Sequence, residues 1–266
     1  SFSRRQRQMC IRDRSDDNTS KTKPYVCYAL IVICCFIFLW QNALPTNLYQ
    51  DAIYNFGVVP AALLGDQQGP INPYLTIFSS MFMHGGWMHL IGNMVFLWIF
   101  GDNIEDSMGH KKFLFFYLIC GIFAAYLQAL INPESTIPMI GASGAIAGIL
   151  GAYLILHPKA NINVLFWIII FITVVKVPAF IVLSVWIISQ FFGSTGGVAY
   201  FAHIGGFIAG ALLIYFFKYP HIELFQEGNT NSFESSNLNL DGFFKKRKQR
   251  DFMQEFIDTA NKKDKN

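Results

Sequence analysis

The chain holds 266 residues, of which 53% are hydrophobic and only 14% charged, and its mean hydropathy is +0.37. A soluble domain does not carry that balance; a polytopic membrane protein does. The net charge of +3 is small, and its placement along the chain matters more than its size. The five cysteines, at 10, 27, 34, 35 and 120, include no CxxC spacing, so neither a disulfide framework nor a zinc site is expected.

The first fifteen residues, SFSRRQRQMCIRDRS, lack apolar periodicity and are expected to be extraneous to the fold. No cleavable signal peptide is expected, because the first apolar run is internal and as long as a full span. At ~20 apolar residues per span, six helices are predicted, over 25–44, 82–101, 112–131, 141–157, 177–194 and 198–217. The predicted fold class is therefore an all-α polytopic membrane protein.

The loop 45–81 contains Pro45, Pro60, Pro70 and Pro73 but stays rich in apolar and aromatic residues, which predicts an interfacial position. Residues 132–140 and 195–197 are short connections. The stretch 163–175 is very apolar yet too short to span, and Lys176 and Pro178 interrupt it. It reads as an interfacial or re-entrant piece, with a seventh span as the alternative. A membrane domain over 25–218 is thus flanked by tails 1–24 and 219–266. The second tail carries KKRKQR at 245–250, with Phe243, Phe244, Phe252 and Phe256 nearby. It reads as a solvated tail, or as a short surface helix on anionic lipid.

With six spans, every Lys and Arg falls on one side, at 4–23, 111–112, 159, 176, 218 and 245–265. Loops 45–81, 132–140 and 195–197 carry none. The positive-inside rule then puts both termini in the cytoplasm. A seventh span would send Lys218 and the basic tail outside, so the charge pattern favours six.

Two of these spans carry reactive groups among glycines. MIGASGAIAGILGAYLILH, 139–157, holds Ser143 beside Gly144 and Gly148; VAYFAHIGGFIAGALLIYFF, 198–217, holds His203 with Gly206 and Gly210. Such small-xxx-small faces let membrane helices approach closely. In a six-span chain the fourth and sixth helices run in the same direction. Ser143 lies fourteen residues before His157, and His203 fifteen before Lys218. At 1.5 Å per residue, both sit ~21–22 Å above the cytoplasmic face. A hydroxyl and an imidazole at equal depth can act as nucleophile and base. The second span adds His89 and Asn93, four apart on one helix face, with His84 near the mouth. His89 and Asn93 are the candidate oxyanion donors.

Each group alone has a plainer reading. Ser143 could bond its own helix backbone, and His203, His89 and Asn93 could bond helices together. The three histidines could instead bind a transition metal or relay protons. Equal depth, shared direction and the lack of carboxylates near the group favour nucleophilic chemistry. Glu105 and Asp106 lie at the other end of their helix.

Four segments together resemble the rhomboid family of intramembrane serine proteases. They are FGVVP at 56–60, MFMHGGWMHLIGNMVFLWIFGDNIED at 81–106, GASGAIAG at 141–148 and AHIGGFIAG at 202–210. The resemblance covers about 50–217. It implies a six-helix rhomboid-like bundle, Ser143 as nucleophile and His203 as general base without a carboxylate partner. It implies an oxyanion hole of His89, Asn93 and the Ser143 N–H, a cavity-lining His84, and Glu105 as a brace for the first outer loop and the third helix.

Two departures stand out. Loop 45–81 has no Trp and no Arg, where some members carry a Trp-Arg pair that anchors it. Ala147 stands where some members stack an aromatic on the base. The expected function is cleavage of transmembrane segments near the outer membrane face, in a bacterial plasma membrane. The alternatives are an inactive relative that binds or chaperones membrane proteins, and a small-solute or metal transporter. The expected partners are transmembrane protein substrates and the lipid bilayer. No metal, cofactor or nucleic acid is expected.

Overall fold

The computed structural model describes residues 22–65, 71–168, 171–192 and 198–226. The first fifteen residues, the short connection 195–197 and the basic tail with its phenylalanines lie outside the described residues. Six helices form the bundle: α1 (Tyr25–Asn42), α5 (Trp87–Met108), α6 (His110–Ile131), α7 (Ser143–Leu156), α8 (Ala179–Phe192) and α9 (Tyr200–Phe217). Three short helices, α2 (Thr46–Phe56), α3 (Pro60–Leu64) and α4 (Pro73–Ser80), fill the long segment between α1 and α5. Helices α1, α6 and α9 are long and apolar enough to cross a membrane, while α7 and α8 are apolar but shorter.

The outer surface fits a lipid solvent. Phe36, Met88, Phe115, Phe192 and Phe216 are among the large apolar side chains left exposed on the helices. Lipid replaces water around them, so their exposure carries no hydrophobic penalty. The buried core centres on α6 and α7, where Phe113, Phe116, Tyr117, Ile149, Leu150 and Tyr153 are fully enclosed.

Helix α5 begins later and ends later than the predicted 82–101. Gly85 and Gly86 are poor helix formers, and the helix starts only at Trp87. Its acidic end continues to Met108 because those groups find partners. Glu105 is fully buried and accepts the backbone N–H of Val26 at 3.0 Å and of Cys27 at 2.8 Å. It also pairs with His110. These N–H groups belong to the first turn of α1, where orphan donors and the helix dipole favour an anion. Glu105 is therefore a brace, joining the start of α1 and, through His110, the start of the third span α6, rather than the first outer loop.

The ambiguous stretch is a hairpin: β1 (Asn161–Ile168) pairs antiparallel with β2 (Phe171–Pro178), in register from Asn161–Pro178 to Ile168–Phe171. Its Val, Ile, Thr and aromatic residues suit a strand better than a helix. The hairpin returns the chain to its starting point, where Ala179 N–H donates to Ala160 O at 2.8 Å. It adds no helical span, so α7 and α8 meet at one end of the bundle.

The long segment between α1 and α5 is held without a Trp-Arg pair. Val58 and Met139 exchange two backbone hydrogen bonds, of 2.9 and 2.8 Å, and Ala61 N–H donates to Ser135 O at 3.0 Å. Ser79 Oγ donates to Phe56 O at 2.7 Å. Gly141 N–H donates to Ser80 O at 2.9 Å, which ties the residues before α7 to the end of α4.

Candidate active site

Helices α7 and α9 pack backbone to backbone. A Cβ placed on Gly206 would overlap the Gly144 carbonyl oxygen, and one on Gly210 would overlap that of Gly148. Both contacts advance by four residues in the same sense, so the two helices run parallel. Only glycine allows this approach. It brings the start of one helix beside the start of the other.

Ser143 is the first residue of α7 and His203 the fourth of α9. Ser143 Oγ lies 2.9 Å from His203 Nε2, within hydrogen-bond range. Serine donates to that nitrogen when it is unprotonated, the arrangement a general base requires. Ala202 N–H donates to Gln128 Oε1 of α6 at 3.2 Å, which holds the start of α9.

On the other side of Ser143 stands α5. Gly85 N–H donates to His89 Nδ1 at 3.4 Å. An N–H facing Nδ1 makes that nitrogen the acceptor, so Nε2 carries the ring proton. Nε2 projects over Gly141, where an added Cβ would come within 2.7 Å of it and within 3.6 Å of Ser143 Oγ. Gly141 has φ of +128°, a conformation that a side chain would strain. The glycine two residues before the serine thus serves both the turn and the imidazole above it.

Asn93 follows one turn along α5 and is buried, and its Nδ2 has no hydrogen-bond partner among the described residues. A buried amide left unpaired costs stability, so an acceptor arriving there would satisfy it. His84 is fully buried, with its ring 5.2 Å from that of His89. It lies inside the wall rather than at an open mouth. Its peptide is bracketed by Gln41 of α1, which donates to His84 O at 3.3 Å and accepts from His84 N–H at 3.1 Å.

Two side chains of α8 reach the site that the sequence reading did not assign. Gln190 Oε1 lies 2.7 Å from His203 Nδ1. The Trp186 ring is 5.7 Å from the His203 ring at an interplanar angle of 37°. The aromatic neighbour absent at Ala147 is therefore supplied by another helix. A lone Gln near the end of an apolar span is the one signal that could have drawn attention to position 190.

Beside Ser143 an open cleft is lined by small residues, including Gly121, Ala124, Ala125 and Ala202, with Met81 and Ile140 also in its wall. No group of three or more His, Cys, Asp or Glu side chains placed to hold a metal occurs among the described residues.

Bundle and site together define an integral membrane protein of helical type, with a serine–imidazole pair at the starts of two co-directed helices. Comparison with known proteins gives the family. A Rhomboid domain model matches residues 72–220. The chain is similar to Rhomboid protein 1, mitochondrial, of Saccharomyces cerevisiae, with 32% identity over 203 residues, 72% of this chain and 53% of the yeast protein. It is similar to RHOMBOID-like protein 4 of Arabidopsis thaliana, with 34% identity over 52% of this chain and 32% of the plant protein. It is also similar to Rhomboid protease GluP of Bacillus subtilis, with 31% identity over 50% of this chain and 24% of that protein. The chain belongs to the rhomboid family. The matched region spans about half, or less, of each of these relatives.

Proposed function

We propose that this protein is an intramembrane serine endopeptidase that cleaves transmembrane segments of other membrane proteins. The observation that carries the reading is the 2.9 Å approach of Ser143 Oγ to His203 Nε2. The protease named among its relatives supports the same reaction class.

In this mechanism His203 Nε2 takes the Ser143 proton as Oγ attacks a peptide carbonyl. The developing oxyanion is met by His89 Nε2–H, by Asn93 Nδ2–H and by the Ser143 backbone N–H. That N–H opens α7, where the first amides have no intrahelical partner and the helix dipole favours negative charge. Each such donor is worth roughly 3–4 kcal/mol in the transition state. His203 then gives its proton to the leaving amine. Water, deprotonated by the same imidazole, hydrolyses the acyl-enzyme and frees Ser143.

Depth follows from helix length. α7 has fourteen residues, so it is about 21 Å long against a hydrocarbon core of ~30 Å. With its His157 end at the cytoplasmic face, Ser143 lies beneath the outer headgroups. The described lysines 111, 112, 159 and 218 share that opposite end, where Lys112 Nζ donates to Phe217 O and Tyr219 N–H to Ser107 O. This supports a membrane domain over 25–218 with both termini cytoplasmic. A bacterial plasma membrane is the location proposed, although the yeast relative is named as mitochondrial.

A substrate helix must unwind to present its peptide bond, because a helical bond is hydrogen-bonded and hidden. The cleft of glycine and alanine beside Ser143 favours a small residue before the cut.

The test uses the full chain in liposomes, with a fluorophosphonate probe and a model single-span substrate. Wild type should label and cleave, while Ser143→Ala and His203→Ala, equally folded, should do neither. A folded wild type that neither labels nor cleaves would return the inactive binding module as the better account.

A further inference from the structure

We propose that Gln190 is a positioning residue: its side-chain oxygen holds the Nδ1–H of His203 and so leaves Nε2 free to accept the Ser143 proton. The inference rests on the peptidase reading above and adds a third member to the pair.

The argument starts with the direction of the Gln190 amide. Its Nε2 lies 3.0 Å from Trp186 O and 3.0 Å from Ser189 Oγ. Trp186 O is a carbonyl and can only accept. Ser189 spends its own hydroxyl proton on that same carbonyl, at 2.6 Å, so towards Gln190 it too accepts. Both neighbours therefore require the NH₂ end of the amide, and Oε1 is left to face His203 at 2.7 Å.

An amide oxygen cannot donate. Nδ1 of His203 must then carry the ring proton, and Nε2 is the acceptor in the neutral imidazole. That tautomer is the one that can deprotonate Ser143. When the proton transfers, the imidazolium keeps its bond to Gln190, and a hydrogen bond to a charged donor is the stronger kind. Gln190 thus favours both the reactive tautomer and the charged form that follows, without bringing a carboxylate into the membrane. It is among the few buried residues of α8, whose Phe180, Val185, Ile188, Phe191 and Phe192 are exposed. Its amide is therefore the polar tie between that helix and the base.

The test measures fluorophosphonate labelling rate against pH for the full chain in liposomes, with wild type, Gln190→Leu, Gln190→Glu and Ser143→Ala. Leucine keeps the bulk and removes the acceptor. Gln190→Leu should slow labelling by roughly 10- to 100-fold and move the acid limb of the profile to lower pH. Gln190→Glu should recover most of the rate and move that limb to higher pH. Wild-type rate and an unmoved limb in Gln190→Leu, with Ser143→Ala unlabelled, would overturn the role of Gln190 and leave the peptidase reading standing. Slow labelling with no shift and no recovery by glutamate would reduce Gln190 to packing and also overturn it. Labelling that persists in Ser143→Ala would overturn the peptidase reading itself.

Should Gln190→Leu fail to fold, nitrogen-15 spectra of histidine-labelled wild type decide the point. A protonated Nδ1 on His203 is expected, and an unprotonated one refutes the assignment.

Discussion

Gly206→Ala is the sharpest probe of how the fold makes the site. The new methyl would sit on the Gly144 carbonyl oxygen, roughly 1 Å or more inside ordinary contact distance. The obstacle is backbone, so no rotamer change relieves it, and α7 and α9 must separate. A separation of roughly 1 Å takes the 2.9 Å pair of Ser143 and His203 to about 4 Å, outside hydrogen-bond range. Overpacking of this kind costs about 1–3 kcal/mol of stability. Misplacement of the base costs at least about 100-fold in rate. The assay pairs thermal unfolding in detergent with cleavage of a reconstituted single-span substrate. Gly92→Ala is the control, since a Cβ there meets nothing within 4 Å, and it should leave both readouts near wild type. Full activity and stability in Gly206→Ala would refute direct backbone contact between the two helices.

Three further outcomes follow from the same geometry. His89→Ala and Asn93→Ala should each lower kcat by about 100- to 1,000-fold with KM little changed; a pure KM effect would show that neither meets the oxyanion. Glu105→Leu leaves the Val26 and Cys27 amides without their acceptor and should lower stability by about 3–5 kcal/mol. Thermal unfolding should register that loss while the folded fraction keeps its rate per molecule, and an unchanged midpoint would argue against the brace. Replacing an alanine before the cut by phenylalanine should lower kcat/KM by about 100-fold, because the cleft beside Ser143 is walled by Gly121, Ala124 and Ala125. Equal cleavage of both substrates would mean that another surface receives that residue.

Much of this arrangement was legible in the sequence, for a physical reason. Length and hydropathy locate apolar helices, and charge placement orders them. Glycine spacing marks where two of them touch, because in lipid a close approach leaves few other solutions. The residues missed were those whose meaning depends on a neighbour. Gln190 is the single amide of α8 and Gln41 lies beside Asn42 at the end of α1, and only folding reveals that one meets His203 Nδ1 and the other the His84 peptide. The run 163–175 is apolar without a period, so its hairpin could not be told from a buried helix segment. The predicted second span stops at 101, where the apolar run gives way to Asp102 and Glu105. In the fold both are buried, and Glu105 serves the start of α1.

The two sides of the candidate base are held by different physics. Towards α7 the hold is steric: carbonyl oxygens rest where side chains would be, and neither helix can approach further or tilt without collision. Towards α8 it is polar, one amide oxygen on one ring nitrogen, backed by a tryptophan at 5.7 Å. The first contact sets where the imidazole is; the second sets which way it turns and which nitrogen bears the proton. A bilayer makes the steric hold effective, since lipid offers no hydrophobic gain from letting the helices part. Serine and histidine therefore need no carboxylate between them: position comes from glycine and protonation state from glutamine.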